Sequence, residues 1–305
     1  MIFEFIKENR NLFEILEMCE TLDVSTNGFY RWEKAEPSVR EVEDDSLKKR
    51  ILEIHDQASG DYGHRPIHDH LMEEGYPCGR DRTLRLMNEL EISGQQSKAY
   101  KPQGTDSAHD FGYSPNLLKE LGKTRFCDEA WVADTTYLLT DSGWMYLATV
   151  MDRHSRRILG WSVSANNDTA LILEALKAAV MTRGTSVAGI IHHSDRGSTY
   201  ASYAYQNYLF ALDMRSSMSA KGNCYDNAAM ESFYGRFKTG SVRNRVFSDE
   251  TDLRRHVFHY IEVFYNRFRK HSSLGYKNPI QFERDFFAPH GGQREERYLY
   301  QSQTN

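Results

Sequence analysis

Three carboxylates stand in local sequences able to hold them rigidly. Asp134 lies in WVADTTYLL, an apolar strand-like run, and Asp195 follows another in GIIHHSDRGS. Glu231 lies in NAAMESFYGRFK, a helix-like run, with 35 residues between it and Asp195. A carboxylate beside Val132 and Ala133 is costly to bury unless it is paired or binds a metal. Hard cations such as Mg²⁺ prefer carboxylate oxygens and keep several waters. Two such ions roughly 3.5–4 Å apart supply what phosphodiester cleavage needs at neutral pH, a strong nucleophile and a stabilised leaving oxygen. Two carboxylates at the ends of buried strands and one on a helix can converge on such ions. Taken singly, each residue has a plainer reading: Asp134 in an ion pair, Asp195 as a cap of the helix after it, Glu231 as an exposed helical acid.

Residues around the three extend the pattern. Asn227 and Lys238 stand four before and seven after Glu231, so on a helix they share its face. Lys238 is then placed to touch a DNA phosphate beside the metals. The stretch 236–277 carries 10 Lys/Arg against 4 Asp/Glu, which suits a polyanion as well as it suits a solvated helix face. Arg236, Arg243 and Arg245 within it are expected DNA contacts. His193 alternates with Asp195 on one strand face, either supporting it from behind or simply packed. Asp152 is expected to stabilise a turn with Arg153 or Arg156. His64, His68, His70 and Cys78 offer a single thiolate, too little for a His-His-Cys-Cys zinc site. The tyrosines of YASYAYQNY fit a packed helix better than a base-stacking platform.

The elements that must position these residues are legible as patterns. AWVADTTYLL, WMYLATVMD and RILGWSVSA are β-rich, with Asp141-Ser142-Gly143 as a hairpin turn between the first two. DTALILEALKAAVMTRG predicts a helix capped by Asp168 and stopped by Gly184. A short apolar strand (VAGIIHH), a helix (TYASYAYQNYLFAL), a short strand (MRSSMS) and the Glu231 helix follow. The order β-β-β-α-β-α-β-α predicts an α/β fold, a mixed sheet with helices on both faces. The N-terminal region is all-helical. Residues 1–35 resemble a helix-turn-helix with Ser25 as an N-cap. The charged segment 36–46 reads as a linker or a helix start. Residues 46–92 form a second helical, helix-turn-helix-like domain, and 93–126 a polar connector. The catalytic core is expected at 127–240, with a basic helical extension and tail at 241–305.

Bulk properties narrow the setting. The net charge is −5, with residues 1–126 holding 17 Lys/Arg against 24 Asp/Glu and residues 127–305 holding 21 against 19. Net charge alone is thus not the footprint of a nucleic-acid binder, and the distribution is more useful. No apolar run approaches the ~18 residues of a membrane span. Charges inside the apolar start MIFEFIKENRNLF argue against a signal peptide. Cys19, Cys78, Cys127 and Cys224 form no Cys-x-x-Cys pair, consistent with a reducing cytoplasm.

Five blocks occur in order: WVADTTY, GWMYLATVMDRHSRRILGW, HHSDRGSTY, KGNCYDNAAMESFYGRFK and YNRFRKHSSLGYKNPIQFE. Together they resemble the integrase-core transposases of bacterial insertion sequences, in the large family numbered three. The resemblance covers nearly the whole chain from MCETLDVSTNGFYRW onward. It implies a ribonuclease-H-like fold, with Asp134, Asp195 and Glu231 as a metal-binding, catalytic DDE triad and Lys238 as the basic residue seven positions on. It implies Mg²⁺ or Mn²⁺, two ions, and 3′-end cleavage followed by strand transfer without a covalent enzyme intermediate. The element moves in that family through a copied-out circular form. The implied partners are terminal-repeat and target DNA, further copies of the chain in a synaptic assembly, and a first-frame protein often fused by frameshifting. This chain has no heptad zipper and is expected to be the second-frame product. One block departs from the family: Tyr-Gly-x-Arg-Arg-Ile stands here as Tyr62-Gly63-His64-Arg65-Pro66-Ile67, and Pro66 is expected to shift the start of its helix. The alternatives are a nuclease of the same fold that cuts without joining, and a DNA-binding regulator.

Overall fold

The computed structural model describes residues 2–94, 113–184, 186–219, 228–242 and 245–288. Asn227, Arg243 and most of the connector, including 95–112, lie outside the described residues.

The chain opens with three short helices, α1 (Ile2–Asn9), α2 (Ile15–Thr21) and α3 (Thr26–Glu33), closed around Ile6, Met18, Cys19 and Phe29. Ser25 caps α3, its hydroxyl accepting the Gly28 amide at 3.0 Å. The charged segment after it is the start of a long helix, α4 (Val39–Gln57). A capping box explains this: Ser38 Oγ accepts the Glu41 amide, and the Glu41 carboxylate accepts the Ser38 amide at 2.7 Å. Leu47, Ile51 and Ile54 form its apolar stripe against α5 (His64–Glu73) and α6 (Arg80–Glu89). Pro66 does not displace α5. It is the third helical residue, in the first turn where an N–H has no partner within the helix, so its missing donor costs nothing.

A short helix, α7 (Leu117–Leu121), leads into the sheet: β1 (Ala130–Thr140), β2 (Gly143–Asp152) and β3 (Ile158–Ser164). Then come α8 (Thr169–Arg183), β4 (Ile191–Ser194), α9 (Ser198–Ala201), α10 (Tyr203–Ala211), β5 (Arg215–Met218) and α11 (Ala228–Arg236). The strand order is β3-β2-β1-β4-β5, with β1–β3 antiparallel neighbours and β4 and β5 running parallel to β1. The expected mixed sheet with helices on both faces is therefore present.

Alternation along β1 sorts two cores. Val132 and Leu138 face the layer containing Phe233 of α11, whereas Trp131 and Ala133 face α8 through Leu171, Ile172, Ala175 and Ala179. Helix α8 lies hard against β3 because residue 160 is glycine. A Cβ there would stand 2.2 Å from the Ala175 carbonyl oxygen.

The polypeptide after α11 widens into a π-helical turn, Phe237–Val242, then forms α12 (Glu250–Phe258), a second π-helical stretch (His259–Tyr265) and α13 (Pro279–Phe287). The Asn266 side chain donates to the Ile158 carbonyl at 2.9 Å and accepts its amide at 3.0 Å, fastening this segment to β3. Tyr62 ties α4–α6 to the same segment: its hydroxyl accepts the Lys270 amide at 2.9 Å and its ring stacks on Phe268. No helix among the described residues is long and apolar enough to cross a membrane.

Candidate active site

Pairing between β1 and β4 runs Ala130–Ile191, Trp131–His192, Val132–His193 and then stops, while β1 continues against β2. Asp134 and Asp195 lie just past that point, two residues beyond Val132 and His193 on adjacent parallel strands. Period-two alternation puts both on the face that α11 covers. Glu231 lies in the first turn of α11.

Helix α11 is held at the right height by Tyr234. Its buried hydroxyl donates to the Asp134 carbonyl at 2.8 Å and sits 2.8 Å from Thr149 Oγ1, and Thr149 is the cross-strand partner of Asp134. By sequence Tyr234 belongs to the apolar face of the Glu231 helix, with Met230, Phe233 and Phe237, and no role at the site is expected of it. The available signal is a hydroxyl on an otherwise apolar helix face, three residues after Glu231, which must find a partner when buried.

The three carboxylates lie within reach of one another's charge. Asp134 keeps a solvent-accessible edge but is packed round with protein. That burial and the negative charges of Asp195 and Glu231 push its carboxyl up to about 7, against the Thr135 amide and the ammonium of Lys238. Asp134 Oδ1 accepts the Thr135 amide of its own strand at 2.8 Å, and Asp195 Oδ1 accepts the Gly197 amide of the loop after β4 at 2.9 Å, so each carboxylate is oriented by a neighbouring backbone amide. Lys238 Nζ lies 4.4 Å from the centre of the Tyr137 ring, and burial lowers its pKa while Asp134 opposes that shift. The straight helical register expected from Glu231 to Lys238 is not kept, since the backbone turns π-helical at Phe237. The change comes one residue before Lys238, whose charge still acts on Asp134.

The other expected residues divide. Arg236 Nη1 lies 3.6 Å from Asp61, on the side of α11 that faces α5. Arg245 pairs with Asp252 at 3.0 Å and lies over Phe247. His193 is buried, with Nδ1 2.9 Å from Ser217 Oγ on β5. Asp152 does stabilise its turn, accepting the His154 and Ser155 amides at 3.0 and 2.6 Å, but its cation is Arg183 at 3.7 Å rather than Arg153 or Arg156. Arg153 donates to the Gly122 carbonyl instead. The zinc candidates do not gather: Cys78 bonds Thr83 on α6, and His70 stacks on Phe268.

The donor set suits divalent ions. Three carboxylates are hard oxygen ligands, and Asp134 is held protonated to an unusual pH by burial and, after it, by the negative charges of Asp195 and Glu231. A cation would remove that repulsion. A second acidic cluster, Cys127, Asp152 and Glu283, has its ligand atoms within 4.8 Å of one another. It does not fit a metal, because the guanidinium of Arg183 already lies among these acids, 2.6 Å from both Asp128 and Glu283.

Comparison with known proteins identifies the family. The integrase core domain family matches residues 128–224 and, in a second description of that core, 212–279, and an HTH-like domain family matches 42–100. The transposase InsF for insertion sequence IS3A of Escherichia coli K12 is 35% identical over 285 residues, 93% of this chain and 98% of that protein. A 31 kDa protein of insertion element IS600 from Shigella sonnei is 38% identical over 269 residues, 88% of this chain and 98% of its own length. Among solved structures, a simian T-cell lymphotropic virus intasome aligns over 72% of this chain and 70% of its own, at 14% identity and a TM-score of 0.45. The catalytic domain of Mos1 mariner transposase aligns over 48% and 76%, at 10% identity and a TM-score of 0.40. The class is that of DNA transposases, which are polynucleotidyl transferases. The chain belongs to the transposases of the IS3 family of insertion sequences.

Proposed function

We propose that Asp134, Asp195 and Glu231 are the catalytic triad of this transposase and hold divalent ions, two Mg²⁺ or Mn²⁺, during cleavage and strand transfer at the element's ends. The observation that carries the reading is the convergence of the three carboxylates from β1, the end of β4 and α11, with Asp134 raised to about 7 by burial and its anionic neighbours. Such ions, when bound, activate an attacking oxygen and stabilise a leaving one. The chain's own residues do the positioning. The Thr135 and Gly197 amides fix the two aspartates, and Tyr234 locks α11 to β1. Lys238, held on Tyr137 beside Asp134, places a positive charge where a DNA phosphate approaches the site. His193 steadies β4 through Ser217 and so supports Asp195 from behind.

The wider DNA contact is assigned to Asn227, Arg236, Arg243 and Arg245, with the helical segments 1–35 and 46–92 ahead of the core and the basic extension 241–305 behind it. A copied-out circle pasted into a target requires two ends to be handled together, which favours an oligomeric synaptic complex and a first-frame partner. Incubation with terminal-repeat DNA and Mg²⁺ or Mn²⁺ tests the reading. Joined products are expected. Cleavage without joining would point to a nuclease, and binding without cleavage to a regulator.

A further inference from the structure

A cavity of about 760 Å³ opens between α5–α6, α11 and the segment after the second π-helical stretch. It is not the triad's own pocket. Its wall on α11 is the stripe Ala228, Ser232 and Arg236, adjoining the stripe that carries Glu231. A helix is about 10–12 Å across with its side chains, so an occupant lies within about one helix width of Glu231.

The lining is strongly one-sided in charge. Arg65, Arg156, Arg236 and Arg269 face the cavity with a single carboxylate among the described residues, Asp61. Asp61 is shared by two of them, pairing with Arg269 and lying 3.6 Å from Arg236. Arg269 Nε and His271 Nε2 are buried with no hydrogen-bond partner among the described residues. Leaving buried donors unmade is expensive, so such groups in a folded protein call for an acceptor. Burial, reinforced by the guanidiniums of Arg269, Arg156 and Arg236, lowers His271 to about 3, which places three positive charges around one neutral ring. Arg269 itself is lowered to about 10 by burial and stays cationic at neutral pH. Lys270 also borders the cavity, but its ammonium is spent on Asp69 and Glu73.

We propose that this cavity is a phosphodiester-binding site that grips the backbone of a DNA strand beside the triad, so that the HTH-like domain and the Glu231 helix hold the same strand. Arginine forks match phosphate oxygens in pairs, and the unpartnered Arg269 Nε–H supplies a donor that such an anion accepts. The proposal rests on the reading that the chain acts on DNA. It adds where the strand runs, and it makes the junction of two domains part of substrate alignment.

The test uses the full chain and terminal-repeat DNA of its own element, with affinity measured across salt concentration. Every phosphate that a variant ceases to neutralise lowers the slope of log K against log salt by about 0.7–0.9. R65Q with R156Q is expected to lower it by about 1.4–1.8. S232E, which places a carboxylate in the cavity wall, is expected to weaken binding while the helical signal stays the same. A wild-type chain that binds while both variants keep its slope and affinity, with unchanged circular dichroism, overturns the site but not the transposase reading. A wild-type chain that ignores the DNA at every salt concentration overturns both. Calorimetry with inorganic phosphate separates a small-anion site from a strand site: saturable phosphate binding abolished in R65Q/R156Q, alongside an unaltered DNA slope, also overturns the proposal.

Discussion

Two groups of acids lie in this core, one buried and one partly open to solvent with Glu231 exposed, and they differ in what balances them. Asp128, Asp152 and Glu283 surround Arg183, which contacts Asp128 and Glu283 at 2.6 Å, while Arg157 meets Glu283 at 2.8 Å. Burial alone would raise Glu283, yet Arg183 and Arg157 hold it down to about 2. In the triad the balance runs the other way, and burial together with Asp195 and Glu231 lifts Asp134 to about 7. Closeness of ligand atoms does not by itself mark a metal site, since the set Cys127, Asp152 and Glu283 is completed by a guanidinium. A cluster neutralised from within has no need of a further cation, whereas on the reading proposed above the other takes its counter-charge from outside.

The sharpest way to break this contrast is to exchange the effects. Asp195→Asn is expected to lower strand transfer at least about 10³-fold, the several kcal/mol that metal charge stabilisation supplies, while urea denaturation shows a fold as stable as before. Strand transfer at the wild-type rate in that variant would remove Asp195 from the triad. Arg183→Met should do the opposite, costing about 3–5 kcal/mol of stability because it strands buried carboxylates. A change below about 1 kcal/mol in the same denaturation assay would show that Arg183 is not what neutralises its cluster.

Metal should act on one group only. At a Mg²⁺ concentration of about 100 Kd, the wild-type chain is expected to gain about 2.7 kcal/mol in thermal or chemical unfolding, and Asp134→Asn should abolish most of that gain. An equal gain in the variant would place the ion elsewhere.

The two groups also carry opposite pH signatures. Without metal, native Asp134 retains a proton that the unfolded chain has released between about pH 4 and pH 7, so stability falls as pH rises through that window. Glu283 is depressed, so its contribution is complete above about pH 4 and is lost as pH falls towards 2. Asp134→Asn should flatten the first slope and leave the second. The smallest expected change is that of Lys238→Ala, which should reduce the salt slope of DNA binding by about 1 and leave the Mg²⁺ stabilisation intact. An unchanged slope would count against its phosphate role.

Much of the triad is readable from local context. A carboxylate inside an apolar strand, another just after one and a third on an amphipathic helix are each recognisable within a short stretch of chain. The cap at Ser25, the Gly184 stop and the β-β-β-α-β-α-β-α order are also short-range signals. The departures from expectation share one origin, which is reach along the chain. Local sequence offers Asp152 only Arg153 and Arg156, while its cation comes from the far end of α8. Position after Glu231 does not reveal that Arg236 stands 3.6 Å from Asp61, a residue of the preceding domain. Pro66 looks disruptive until its place in the helix is known, and the first turn tolerates it.

What this chain determined by sequence alone is the chemistry on offer: the residue types, the rigid element that carries each, and the order in which those elements follow one another. Side-chain period and capping act over a few residues, so they survive in one dimension. Which acids receive a buried counter-charge was decided only in three dimensions. Arg183 and Glu283 stand 100 residues apart and meet because α13 packs back against the end of α8. That meeting satisfies one acidic group and leaves the charge of Asp134, Asp195 and Glu231 for a cation to balance.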